Sequence, residues 1–177
     1  VKLVQKHFPM LFGIVFSKIT ISHKEKEKIE ELIKYLTISC TSKIKSSNKF
    51  KDNATDFFLS KLDNMEFEIG APNLANFQRI PVFSLNSFDK NIQLSEEYQL
   101  ERNTDEPDWK SPPFETDCRY NIYDNKVKIY AGTLFAYNFT EQDDFVVLFA
   151  TIGRTIAHEM THAFDKSGKK FNKKEWK

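Results

Sequence analysis

The stretch Thr155-Ile156-Ala157-His158-Glu159-Met160-Thr161-His162-Ala163-Phe164-Asp165 constrains this chain more than any other. It contains the pattern H-E-x-x-H. In an α-helix, positions i and i+4 lie on one face, one above the other. His158 and His162 can therefore direct two imidazole nitrogens at a single metal ion. Glu159, one step round the helix, is placed to act as a general base on water activated by that metal. The surrounding apolar run from Phe145 to Phe164 is interrupted by Thr151, Gly153, Arg154 and Thr155, and it reads as a buried helix. No segment reaches the uninterrupted apolar length of about 18 residues that a membrane span needs. Thr140 is the expected N-cap of this helix, with Asp143 and Asp144 at its positive end. The helix is expected to run to about Asp165, with Gly168 as a cap just beyond.

Just upstream, the hydrophobic period changes to two. Cys118 to Tyr123 and Lys126 to Tyr130 are rich in β-branched and aromatic residues, and Asp124-Asn125 separates them. This pattern predicts a β-hairpin, with Val127 and Ile129 inward, Lys128 and Tyr130 outward, and Gly132 closing the unit.

The earlier part of the chain reads as helical. Residues 8–19 are apolar on nearly every side, which predicts a helix buried on most faces. Ser22-His23-Lys24-Glu25 has capping-box spacing, and Ile29, Leu32, Ile33 and Leu36 form an amphipathic stripe behind it. The run Lys24 to Lys28 is its solvated face. His7 and His23 have no partner at ligand spacing and read as surface residues. A further helix is expected to start near Asp52 or Asn53 and to carry Phe57, Phe58, Leu59, Leu62 and Met65, with Gly70 and Pro72 as stop signals. Another is expected over Leu94 to Leu100. Asn103 to Pro107, with Pro112-Pro113 after it, is the best linker candidate. The fold class expected is α+β and mainly helical.

Lys plus Arg number 26 and Asp plus Glu 25, a formal net charge of +1. That balance argues against a dedicated nucleic-acid binder. Cys40 and Cys118 leave one disulfide and two free thiols equally open. The sequons Asn53-Ala54-Thr55 and Asn138-Phe139-Thr140 are compatible with a secreted chain. The first residue is Val1 and no signal-peptide pattern precedes it, so the start reads as a cut into a longer protein.

The chemistry expected of the motif is that of a zinc hydrolase. Three protein ligands hold the ion and leave a position open for water, whose pKa falls to roughly 7. Asp165, about one turn after His162, is where a carboxylate could steady a ligating imidazole. Five residues can match a pattern by chance, but here a long apolar helix, an upstream hairpin and Asp165 accompany them. The third ligand separates the classes of zinc peptidase. The extended pattern H-E-x-x-H-x-x-G-x-x-H is excluded, because it needs glycine and histidine where this chain has Asp165 and Gly168. The other common solution is a glutamate well downstream on another helix. Beyond Asp165 the sequence offers only Glu175, beside Trp176, so the third ligand is expected to lie outside these residues.

These residues resemble the neprilysin and endothelin-converting-enzyme family of zinc metalloendopeptidases. The resemblance rests on Asn121-Ile122-Tyr123, on Tyr130-Ala131-Gly132, and above all on His158 to Asp165. It extends upstream through Asp108-Trp109 with Ser111-Pro112-Pro113, Lys61-Leu62-Asp63-Asn64-Met65 with Ile69-Gly70 and Pro72, and Leu11-Phe12-Gly13. It implies that His158 and His162 bind zinc, that Glu159 is the catalytic base, and that Asp165 supports the site. Asn121 would hydrogen-bond the backbone of a peptide substrate lying along the edge strand; the lesser alternative, read from the residues alone, is that it satisfies a local turn.

The resemblance further implies a helical tail of an N-terminal region over 1–110. The start of a zincin (thermolysin-like) catalytic domain, here truncated, would follow over 111–177. Family members are cell-surface or extracellular ectoenzymes that cleave peptides. Any membrane anchor would lie in a segment outside this chain. The oligomeric state is left open. With one ligand absent, the chain alone is expected to be catalytically incompetent. Two departures from the family pattern motivate an alternative, a non-catalytic relative acting as a peptide-binding or decoy ectodomain. Phe149-Ala150-Thr151 replaces the usual Gly-Gly before the zinc helix, and Arg154 sits one turn before His158.

Overall fold

The computed structural model describes residues 1–47, 52–73, 81–104 and 109–170. Two helices open the chain, α1 (Lys2–His7) and α2 (Pro9–Thr20). Proline begins α2, where its missing N–H costs nothing. The long α3 (His23–Lys45) follows, closed at its start by the expected capping box. The Ser22 hydroxyl accepts the Glu25 N–H at 3.2 Å, and the Glu25 carboxylate accepts the Ser22 N–H at 2.7 Å. Its stripe of Ile29, Leu32, Ile33 and Leu36 is buried, as the periodicity requires.

Helix α4 (Asp52–Asp63) comes next and leads directly into a strand, β1 (Glu66–Gly70). Then come α5 (Phe88–Thr104), β2 (Cys118–Asn121), β3 (Lys126–Tyr130) and α6 (Ala131–Ala136). The last long helical unit is built from α7 (Phe145–Leu148), a π-helical segment over Phe149–Gly153, and α8 (Arg154–Thr161). The architecture is α+β, mainly helical around one small sheet.

The sheet has three strands in the order β1-β3-β2. β3 is central, parallel to β1 with Glu66 opposite Lys126, and antiparallel to β2 with Cys118 opposite Ile129. The predicted hairpin is therefore present, with Asn125 in the left-handed conformation (φ 52°) that its tight turn requires. The core lies between one face of this sheet and helices α3, α4 and α8. It gathers Leu32 and Leu36, Leu62, Val127 and Ile129, and Ile152, Ile156 and Met160.

Several expectations are corrected. Gly70 (φ 90°) ends a strand, not a helix, because Glu66 to Gly70 pairs with a strand far along the chain. Lys128 and Tyr130 are buried (3% and 1% exposed), not outward. β1 makes β3 the centre of the sheet, and the Trp109 ring packs over Tyr130 with centroids 4.5 Å apart. Gly132 lies inside α6, where a Cβ would meet the Phe114 carbonyl oxygen at 2.2 Å.

The helix start moves too. Asp144, not Thr140, is the N-cap of α7, its carboxylate accepting the Val146 N–H at 2.7 Å. Helix α2 exists but buries only Gly13 and Ile14, leaving Val15 and Ile19 more than half exposed. His7 is buried instead of surface-lying, since α5 covers it. The Ser95 hydroxyl donates to its carbonyl, and the Glu96 carboxylate is 3.8 Å from its ring. Of the linker candidate, Asn103 and Thr104 belong to α5, and 105–107 lie outside the described residues.

Candidate metal centre

The C-terminal helical unit has one face for the core and one for chemistry. Ile152, Ile156, Met160 and Ala163 are wholly buried and fix its rotation against the sheet. The π-helical segment contains the Phe149-Ala150-Thr151 stretch. A π-turn inserts an extra residue into the helical register and so re-aims the helix that follows it. Gly153 closes the segment: a Cβ there would stand 2.9 Å from the Leu148 carbonyl oxygen.

On the chemical face, His158, Glu159 and His162 converge, with one potential ligand atom from each all within 4.8 Å of one another. The two imidazole rings meet edge to face, centroids 5.0 Å apart. One turn on, Asp165 Oδ2 lies 2.9 Å from His162 Nδ1. Its other oxygen accepts the backbone N–H groups of Ser167 and Gly168, each at 2.8 Å. The Gly168 amide, then the His162 contact, holds the Asp165 carboxyl down at about 2, below its ordinary 3.8. An ionised carboxylate on Nδ1 leaves Nε2 of His162 as the nitrogen able to ligate.

The edge strand β2 supplies a contact that the sequence did not reveal. The Tyr120 backbone N–H donates to Glu159 Oε2 at 2.9 Å. An edge strand carries unpaired N–H groups, and this one fixes the carboxylate of the candidate base. The Tyr120 hydroxyl donates to Asn125 Oδ1 at 2.8 Å, and the Asn125 amide in turn donates to the Lys61 carbonyl at 2.8 Å. Burial raises the Tyr120 phenol above its ordinary range, and the Asp165 charge adds to the effect. Cys118, two residues before Tyr120, is a buried free thiol raised by burial first and by Glu159 second.

The donor set fits a zinc ion: two imidazoles and a carboxylate converge, and one imidazole is oriented by a second carboxylate. Asn121 lies at the end of β2. Its Nδ2 donates to Asp124 at 2.7 Å, and its Oδ1 accepts the Tyr123 N–H at 3.0 Å, so in this conformation its amide is engaged within the hairpin turn. It borders a groove of about 640 Å³ also lined by Lys110, Arg119, Lys126 and Tyr130. Arg154 is exposed, and Glu175 lies outside the described residues.

The sequence profile described as Peptidase family M13 matches residues 118–176. The matched segment runs from the first residue of β2 past the paired histidines. Over almost the whole chain, the sequence is 24% identical to Neprilysin-2 of Caenorhabditis elegans (93% of this chain, 24% of the relative). It is likewise 24% identical to a neutral endopeptidase of Lactobacillus helveticus (97% of this chain, 28% of the relative). Over 87 residues it is 31% identical to human neprilysin, covering 48% of this chain and 12% of that one. The neprilysin-family resemblance read from the motifs therefore holds.

The fold agrees. The chain superposes on PEPO from Lactobacillus rhamnosis with a TM-score of 0.78 at 16% identity, covering 99% of this chain and 29% of that one. On the Mycobacterium tuberculosis zinc metalloprotease ZMP1 in complex with inhibitor, the TM-score is 0.73 at 22% identity, with 97% and 27% covered. Its architecture is that of the partial zincin-type fold in these proteases. The chain spans about a quarter of the length of the curated relatives that it matches along almost its whole length.

Proposed function

We propose that this chain carries part of the active site of a zinc metalloendopeptidase that hydrolyses peptide bonds. The observation that carries the reading is the convergence of His158, Glu159 and His162 within 4.8 Å, with Asp165 on the Nδ1 of His162. His158 and His162 are the metal ligands in this reading. A zinc ion held there would supply Lewis-acid activation of water and of the scissile carbonyl. Glu159 takes the proton from the attacking water and passes it to the leaving amine. Its Oε2 is fixed by the Tyr120 N–H, so the other oxygen is the one free to receive that proton.

The backbone of β2 is the surface along which a peptide would add as a further strand. Asn121 is the proposed contact to that peptide, which requires its amide to leave the turn. Among the described residues no further side chain joins the ligand group. The third protein ligand is proposed to lie outside the 177 residues, which alone should then bind zinc weakly and turn over no peptide. The proposed division, a helical part over 1–110 and the start of the catalytic domain over 111–177, draws support from where the family match begins. The two parts share one sheet, because β1 pairs with β3. A location at the cell surface or outside the cell, with any anchor in another segment, is proposed on the neprilysin resemblance. No described helix is long and apolar enough to cross a membrane.

The test is Glu159→Gln in the complete protein that carries these residues. Peptide hydrolysis should fall by at least about a thousandfold while zinc is retained. Full turnover in that variant would remove Glu159 as the base. A wild-type protein that binds peptides without cleaving them would favour the non-catalytic alternative, which Arg154 on the zinc helix motivates.

A further inference from the structure

Lys61 is wholly buried, an unusual place for an ammonium group. Burying such a charge is costly unless donors and acceptors are matched to it. Its Nζ donates to the carbonyl oxygen of Gly168, 107 residues along the chain. The rings of Phe57 and Tyr120 each lie with the centroid 6.0 Å from the nitrogen, within reach of a cation–π attraction. The lysine thus reaches from the end of α4, through the core, to the turn that follows the zinc helix.

That turn touches both His162 and Asp165. Gly168 is pressed against the end of the helix, where a Cβ would stand 1.9 Å from the His162 carbonyl oxygen. Its N–H holds Asp165 Oδ1, and Asp165 Oδ2 faces His162 Nδ1. One peptide segment therefore receives Lys61 on its carbonyl and grips Asp165 with its amide. We propose that Lys61 is a positioning residue of the metal centre, acting through Gly168 and Asp165 to set the orientation of the His162 imidazole. The proposal rests on the reading of His158 and His162 as metal ligands. The same lysine is tied to the base as well: its own carbonyl is held by Asn125, which accepts the Tyr120 hydroxyl of the residue whose N–H anchors Glu159. The α4 end is thereby coupled to both the ligand and the base.

The experiment measures Zn²⁺ affinity by chelator competition, and the visible absorption of the Co²⁺ form, in the complete protein. Wild type, His158→Ala, Lys61→Met, Asp165→Asn and the Lys61→Met/Asp165→Asn double variant are compared, with thermal unfolding of each metal-free form. Lys61→Met should weaken zinc binding roughly 10- to 100-fold, the range typical for groups that orient a ligand. It should also shift the Co²⁺ spectrum. In the Asp165→Asn background it should add less than about twofold, because the two act along one path. Should Lys61→Met not fold, Lys61→Gln, one bond too short to reach Gly168, takes its place with the same expected loss. Wild-type affinity and spectrum in Lys61→Met, with only its unfolding temperature lowered, would overturn the proposal. So would a fully additive loss in the double variant. If wild type binds zinc and His158→Ala abolishes it, such results count against Lys61 alone. If wild type and His158→Ala bind equally, the metal reading itself fails.

Discussion

The backbone N–H of Tyr120, on the edge strand, donates to the carboxylate of Glu159 at 2.9 Å. A strand and a helix 39 residues apart in sequence thereby share one hydrogen bond at the centre of the candidate site. The contact is made by main chain, so no side-chain pattern announces it. It depends on β2 keeping its place, which the Tyr120 hydroxyl secures through the buried Asn125.

Tyr120→Phe should therefore destabilise the protein by about 1–2 kcal/mol, because Asn125 Oδ1 loses its donor in a buried place. The midpoint of urea unfolding reports this. An unchanged midpoint would mean that Asn125 is satisfied in another way.

Gly132→Ala should cost about 1–3 kcal/mol or prevent folding. The added methyl would meet the Phe114 and Glu115 carbonyl oxygens at 2.2 and 2.4 Å, and backbone cannot give way as a flexible side chain can. Denaturant unfolding checks it, and a neutral substitution would contradict the close approach of α6 to the 114–115 segment.

Tyr130 gives a prediction in pH. Burial pushes its phenol up to about 12 from 10.0, against the opposing Ser111 backbone hydrogen bond. Its folded value is raised, so its contribution is fully present below pH 10. It is lost as pH rises from about 10 towards 12, where the unfolded chain ionises first. Tyr130→Phe should lower stability at neutral pH, through the lost hydrogen bond, but flatten the decline across that alkaline window. Unfolding midpoints at pH 8 and pH 11 measure it, and a parallel decline in both proteins would contradict it.

Asn121→Ala separates two roles. If Asn121 holds a peptide backbone in both ground and transition states, KM in the complete protein should rise with kcat nearly unchanged. If its work is confined to the turn, through Asp124 and Tyr123, unfolding should become easier by about 1 kcal/mol while KM stays the same. The account predicts the rise in KM.

The local features of this fold were legible in the sequence. The capping box at Ser22 and Glu25, the stripe on α3 and the hairpin around Asn125 each depend on neighbours a few residues apart. So does the paired-histidine motif with Asp165. What escaped was set by distant partners. Glu66 to Gly70 reads as the tail of a helix because its strand identity comes from pairing with β3. That same pairing hides Lys128 and Tyr130, which alternation alone sends outward. His7 is buried by α5, and Lys61 by the turn at Gly168. Lys61 stands within a family-like string of residues, and nothing in its neighbourhood signals an ammonium group inside the core.

The most direct test is the metal content of the complete protein after equilibration in zinc-buffered solution, measured for wild type, His158→Ala and His162→Ala. The account predicts about one zinc per chain in wild type, as for a single catalytic site, and its loss in both histidine variants. Zinc absent from wild type, or retained equally by the histidine variants, would contradict it.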